Sequence, residues 1–179
     1  MPPVEDLARE ITEIGFSCID CGECCAGTGE DGSLVMVGRD EARRIALAAR
    51  VAFPEAVEPY PGDVRVRGVS CRLGWAVART GAGACRFHER GRCAVYAARP
   101  WICRTYPFML DGERLVVSRC RGLGGPISMD TARSIATDLV RRRAFEDDEA
   151  ERVRAVLETA DLPEGEGTVV IDAEGVTRA

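Results

Sequence analysis

The stretch CIDCGECC, residues 18–25, places four thiols within eight positions of a chain that has nine cysteines and a single histidine. The two-residue gaps of Cys18-x2-Cys21-x2-Cys24 let successive thiolates curl around one centre. Ferredoxin-type runs use the same gaps for three ligands of a 4Fe–4S cluster. Zinc ribbons and fingers also use C-x2-C, but as separated pairs. Three such thiols in a row therefore point to a polynuclear iron–sulfur cluster; a zinc ion holding two of them with two remote cysteines is the alternative. Cys25 fits least easily, because adjacent side chains tend to diverge. It serves a second site or packs as a small buried hydrophobe.

Five thiols lie further on: Cys71, Cys85, Cys93, Cys103 and Cys120. Cys85 and Cys93 flank RFHERGR, a turn able to bring both to one side. Cys103 sits just past Arg99-Pro100, where proline favours the first turn of a short helix. Cys120 precedes RGLGG. With Cys71 spare, eight thiols divide naturally into two four-thiolate centres. The odd count excludes complete disulfide pairing within the chain. The N-terminus, MPPVEDLAREITEIGF, is acidic and amphipathic and lacks the basic and apolar blocks of a signal peptide. A cytoplasmic location is expected, and structural disulfides are disfavoured there. Metal or iron–sulfur ligation is the leading account.

Three blocks in order, FSCIDCGECCAG, CRFHERGRCAVYAARPWICRTYPF and SRCRGLG, are similar to the signature of the CxxCxxCC cysteine-cluster family, also called YkgJ-like, a zinc- or iron-chelating domain. The resemblance covers about residues 16–124. By position it implies metal-binding roles for Cys18, Cys21, Cys24, Cys25, Cys85, Cys93, Cys103 and Cys120. Cys71 falls in a stretch without a family motif. Relatives include flagellin lysine-N-methylases, in which a similar signature accompanies methyl transfer from S-adenosylmethionine to protein lysines. The resemblance implies a metal centre more firmly than any activity.

Other residues narrow the field. All 24 basic residues are arginine, so no lysine of the chain can form a Schiff base. A net charge of −5 gives no general attraction for nucleic acid or an anionic membrane surface. No apolar run approaches the ~18–20 residues of a membrane span. Arg86, Arg90, Arg92, Arg99, Arg104, Arg119 and Arg121 crowd the remote cysteines, where they would offset the negative charge of a thiolate centre. Tyr96, Trp101 and Tyr106 read as core aromatics. His88 reads as a surface or hydrogen-bonded histidine, and its solitude argues against hydrolase mechanisms built on a histidine base. The glycine clusters GTGEDG (27–32) and GLGG (122–125) fit no phosphate-binding loop. Both suit backbone wrapped closely around a centre.

The elements that must position these residues are short. Val4, Leu7, Ile11 and Ile14 recur at helical spacing, so residues 3–14 read as a helix stopped by Gly15. LVMV (34–37) reads as a buried strand. RDEARRIALAARV reads as a helix with Ile45, Leu47, Ala48 and Val51 apolar. A strand is expected near 64–72, and a hairpin about Asp111-Gly112 in PFMLDGERLVVS. Two helices come next, one with Ala132, Ile135, Ala136, Leu139 and Val140 on a face, the other with Val153, Val156, Leu157 and Ala160. RRR (141–143) ends the first and EDDE (146–149) opens the second, placements that suit the helix dipoles. TVVID reads as a final edge strand. These readings give a single α+β domain over 1–179, small, irregular and cysteine/metal-centred, with short strands and C-terminal helices; its motif region is 16–124 and its helical extension 126–160. The expected function is one or two iron–sulfur centres (4Fe–4S) used in electron transfer or redox-assisted modification of a protein partner or substrate. A structural zinc module for protein interaction and an S-adenosylmethionine-dependent lysine methylase are the alternatives.

Overall fold

A computed structural model of the chain describes residues 1–27, 34–163 and 167–179. Beyond Gly27, the GTGEDG cluster lies outside the described residues. The fold is α+β, with short strands in small sheets and a long C-terminal helix. In chain order the elements are α1 (Val4–Ile14), α2 (Glu23–Ala26), β1 (Met36–Val37), α3 (Arg39–Ala49), α4 (Phe53–Ala56), β2 (Val57–Pro59), β3 (Val64–Val66), β4 (Val69–Leu73) and β5 (Trp75–Val77). Then come β6 (His88–Glu89), β7 (Arg92–Cys93), a 3-10 turn (Tyr96–Ala98), α5 (Trp101–Thr105), β8 (Phe108–Asp111), β9 (Arg114–Val117), α6 (Met129–Thr159), β10 (Val169–Asp172) and β11 (Gly175–Arg178).

The periodicity of α1 is realised as expected: Leu7, Ala8 and Ile11 are buried against Ala132, Ala136 and Leu139 of α6, with Phe108 of β8 in the same apolar cluster. A second cluster packs Ala42, Ile45 and Ala46 of α3 against Val57, Trp75 and Val77, with Phe87, Val95 and Ala98 joining from the cysteine-rich segment. A third holds Cys71, Val169 and Ile171, covered by Val156 and Leu157 of α6.

Four expectations are corrected. The two C-terminal helices are one helix of 31 residues, roughly 46 Å long. No glycine or proline interrupts it. The charge runs expected at helix ends instead pair along it, Arg142 with Glu146 at 2.6 Å and Arg143 with Asp147 at 2.9 Å. The strand near 64–72 is the hairpin β3–β4, turning at Arg67-Gly68. TVVID is no edge: β10 lies inside a sheet of order β11-β10-β4-β3, parallel to β4 and antiparallel to β11. In α3, Leu47 and Ala48 are exposed, and the buried stripe runs one residue earlier, through Ala42, Ile45 and Ala46. Two smaller shifts accompany these. The register of β8 and β9 pairs Asp111 with Arg114, so the turn is Gly112-Glu113. Of LVMV only Met36 and Val37 form a strand, and Met36 is exposed.

Candidate metal centre

The CxxCxxCC run is held in place by backbone. Cys24 and Cys25 ride on α2, a single helical turn with Gly22 before it (φ 70°) and Gly27 after it (φ 68°). Both glycines are required, since each adopts a left-handed conformation and each meets a neighbour closely. A Cβ on Gly27 would lie 2.3 Å from the Gly83 carbonyl oxygen; one on Gly22 would lie 2.6 Å from His88 Nε2. The Cys85 N–H donates to the Cys25 carbonyl at 2.8 Å, which joins the N-terminal run directly to the second cysteine block. In that block β6 and β7 form a tight hairpin over Arg90-Gly91. Pro100 then starts α5, as its sequence position suggested, and the Cys103 N–H donates to the Pro100 carbonyl. The third block returns to the first. Ser17 N–H donates to Gly122 O, Gly124 N–H to Gly15 O, and Arg121 pairs with Glu23 of α2 at 3.0 Å. GLGG thus serves close backbone approach beside Cys18.

These contacts surround a cavity of about 870 Å³ whose wall carries Cys18, Cys24, Cys25, Cys85, Cys93 and Cys103. Six of the eight cysteines expected as ligands therefore share one space. Cys21 and Cys120 stand off that wall, although their charges, with that of Cys24, act on the Tyr106 phenol and push its pKa up after burial has done so. Cys24 and Cys25 do not diverge. Their sulfurs are 3.7 Å apart on the single turn of α2. Cys71 is absent from the cavity: it is 1% exposed in β4, packed with Val169 and Ile171, its thiol donating to the Val69 carbonyl. It is a core residue. All nine thiols are free, and Cys18, Cys21 and Cys24 are exposed. Among the described residues no three Cys, His, Asp or Glu side chains are arranged so as to hold a metal ion. The thiols converge without closing.

Their electrostatics arise from that crowding. The contact between the Cys24 and Cys25 sulfurs, with help from a backbone hydrogen bond and Arg99, holds Cys24 down to about 6 against burial and Glu23. The same contact pushes Cys25 far up, further raised by burial and by the charges of Cys24, Cys85 and Cys103. Burial pushes Cys103 up to about 12, with Cys85, Cys24 and Cys93 adding to it. Burial likewise raises Cys85, beside Cys93 and Cys24, and Cys18. Thiols crowded this closely are poor company for one another as anions, and a bound cation reverses that penalty. Soft sulfur donors in number, partly desolvated, fit zinc or an iron–sulfur cluster.

Of the seven arginines near the remote cysteines, Arg92 and Arg99 line the cavity. Arg86 is paired with Glu55, Arg104 with Asp138 and Arg121 with Glu23, so local carboxylates claim those three. Tyr96 is no core residue: it is 53% exposed at the cavity rim, with the Arg99 guanidinium 3.5 Å from its ring centre. Tyr106 also lines the cavity, and its hydroxyl donates to the Arg119 carbonyl. His88 is half-buried on the same wall, and its Nε2 is shut from water without a hydrogen-bond partner. The sequence reading of a surface or hydrogen-bonded histidine is therefore corrected at this nitrogen.

Fold and site together define a small α+β protein whose cysteine blocks close on a thiol-lined cavity. A family model named CxxCxxCC, described as "putative zinc- or iron-chelating domain", matches residues 17–121, more than half of the chain. The chain belongs to that family, and metal binding through its cysteine cluster goes with it. No curated protein and no solved structure matches the chain. No described helix is long and apolar enough to cross a membrane.

Proposed function

We propose that Cys18, Cys24, Cys25, Cys85, Cys93 and Cys103 hold a polynuclear metal–thiolate centre, iron–sulfur in kind, used for electron transfer or redox-assisted modification of a protein partner. One observation carries this reading: six thiols, from the N-terminal run and from three remote positions, line a single cavity. One tetrahedral zinc takes only four donors. A bound iron–sulfur cluster supplies a one-electron couple whose potential responds to nearby charge and burial. The chain's own residues set those conditions. Arg92 and Arg99 place positive charge at the wall, and Ile45, Val77, Phe87 and Val95 exclude water from its inner side. The exposed Cys18, Cys21 and Cys24 leave the outer side at the surface, where a partner could reach it.

Zinc is the second reading, favoured by the 3.7 Å between Cys24 and Cys25. Two thiolates on one tetrahedral zinc at about 2.3 Å stand about 3.8 Å apart, whereas in an iron–sulfur cube each iron takes its own cysteine. Purification without oxygen separates the two. A brown protein with broad absorption near ~400 nm, iron and labile sulfide is expected; a colourless one with stoichiometric zinc replaces the first reading by the second.

A further inference from the structure

His88 Nε2 is the one buried side-chain nitrogen or oxygen that lacks a hydrogen-bond partner among the described residues. Buried polar atoms are almost always paired, so this one calls for a reason. Its surroundings supply one. The nitrogen presses on the CxxCxxCC run, since a Cβ on Gly22, between Cys21 and Cys24, would come within 2.6 Å of it. The side chain lines the thiol cavity. Two local features aim it there. His88 and Cys93 are direct partners across β6–β7, and opposed residues of an antiparallel pair project to the same face. Cys85-x2-His88 also has the two-residue gap common in thiolate metal sites, and the His88 N–H donates to the Cys85 carbonyl at 3.0 Å, closing the turn between them.

A histidine that merely filled the core would find a donor or acceptor for Nε2; a histidine at the surface would give it to water. Neither is so. Imidazole joins cysteine in mixed zinc sites, and its free nitrogen binds as a neutral donor. We infer that His88 Nε2 is a ligand of the thiolate-held metal, with Cys85 and Cys93 of the same turn drawing in around the ion as it binds, since the three do not yet surround one point. Bound so, the ring keeps its proton on Nδ1. Replacing one of four thiolates by a neutral donor lowers the net negative charge of a divalent four-coordinate site from two to one. The inference rests on the metal reading proposed above and adds to it a residue outside the eight cysteines.

X-ray absorption at the edge of the metal carried by anaerobically purified protein, zinc or iron, tests this. Imidazole scattering beside the sulfur shell is expected in the wild type. It should vanish in His88→Ala, whose affinity in competition with a chelator should fall at least about tenfold. His88→Cys should keep the metal with a sulfur-only shell, so that a folding defect in the alanine variant does not confuse the result. A metal-replete wild type with sulfur-only ligation overturns the His88 assignment and leaves the metal reading standing. A protein carrying neither zinc nor iron overturns the metal reading, and the assignment falls with it.

Discussion

At Cys24 and Cys25 two neighbouring sulfurs meet within 3.7 Å, and the consequence is an unequal pair: one thiol poised as an anion, the other held neutral. The sign of the resulting pH dependence is fixed. Cys24, held down to about 6, is thiolate at pH 7, while burial keeps Cys103 protonated to about 12. In reduced, metal-free protein iodoacetamide should therefore modify Cys24 first, with a midpoint near pH 6 tracked by peptide mass spectrometry. Labelling of Cys103 or Cys85 ahead of it contradicts the arrangement. At this scale the cysteine runs were legible because their spacing is local. The pairing of Cys24 with Cys25 was not, since successive side chains take opposite faces of a strand but stand only about 100° apart on a helical turn, where two short side chains can still meet. His88 was misread for a related reason: its buried Nε2 lies against Gly22, 66 positions earlier.

Among the elements, α5 carries Cys103 to the cavity wall and is anchored at both ends. Glu41 of α3, 4% exposed, accepts the Trp101 N–H at 2.7 Å and so caps the start of α5. Burial pushes its carboxyl up, opposed by that N–H and the Gly38 N–H. At the other end Arg142 of α6 donates to Thr105 Oγ1 at 3.0 Å. Glu41→Ala strips the cap from a part-buried N–H and should cost about 1–3 kcal/mol in denaturant unfolding, with weaker metal binding as α5 loosens. Unchanged stability and unchanged metal content would show that α5 needs no such anchor. The single α6 was not legible as one helix. Its apolar positions fall into two groups because they serve two partners, α1 near the start and the β4–β10 sheet near the end. Charges between the groups look like helix ends when read singly and like i,i+4 pairs once the helix is continuous.

Across the whole molecule, the family signature ends at residue 121, while the fold also draws on α6 and the β10–β11 hairpin beyond it. Parallel pairing of β10 with β4, nearly a hundred residues earlier, leaves no local trace, which is why TVVID read as an edge. Asp172 at the end of β10 is 2% exposed and accepts from Arg39 Nε at 2.7 Å and Trp75 Nε1 at 2.6 Å, fastening the C-terminal hairpin to α3 and β5. Asp172→Ala leaves both donors without their acceptor and should lower unfolding stability by about 2–4 kcal/mol. An effect within about 0.5 kcal/mol, the range of ordinary surface substitutions, would mean that the hairpin is dispensable to the core. The cysteine cavity also depends on segments far apart in sequence, and its ligands must be deprotonated to bind. The most direct measurement is therefore the metal and labile sulfide content per chain of protein purified without oxygen, wild type beside the double variant Cys24→Ser, Cys103→Ser. The wild type should carry about four irons with matching sulfide per cluster, or stoichiometric zinc, and the double variant should lose them. A wild type devoid of both metals, or a double variant that keeps its full load, contradicts the assignment of these thiols as the metal centre.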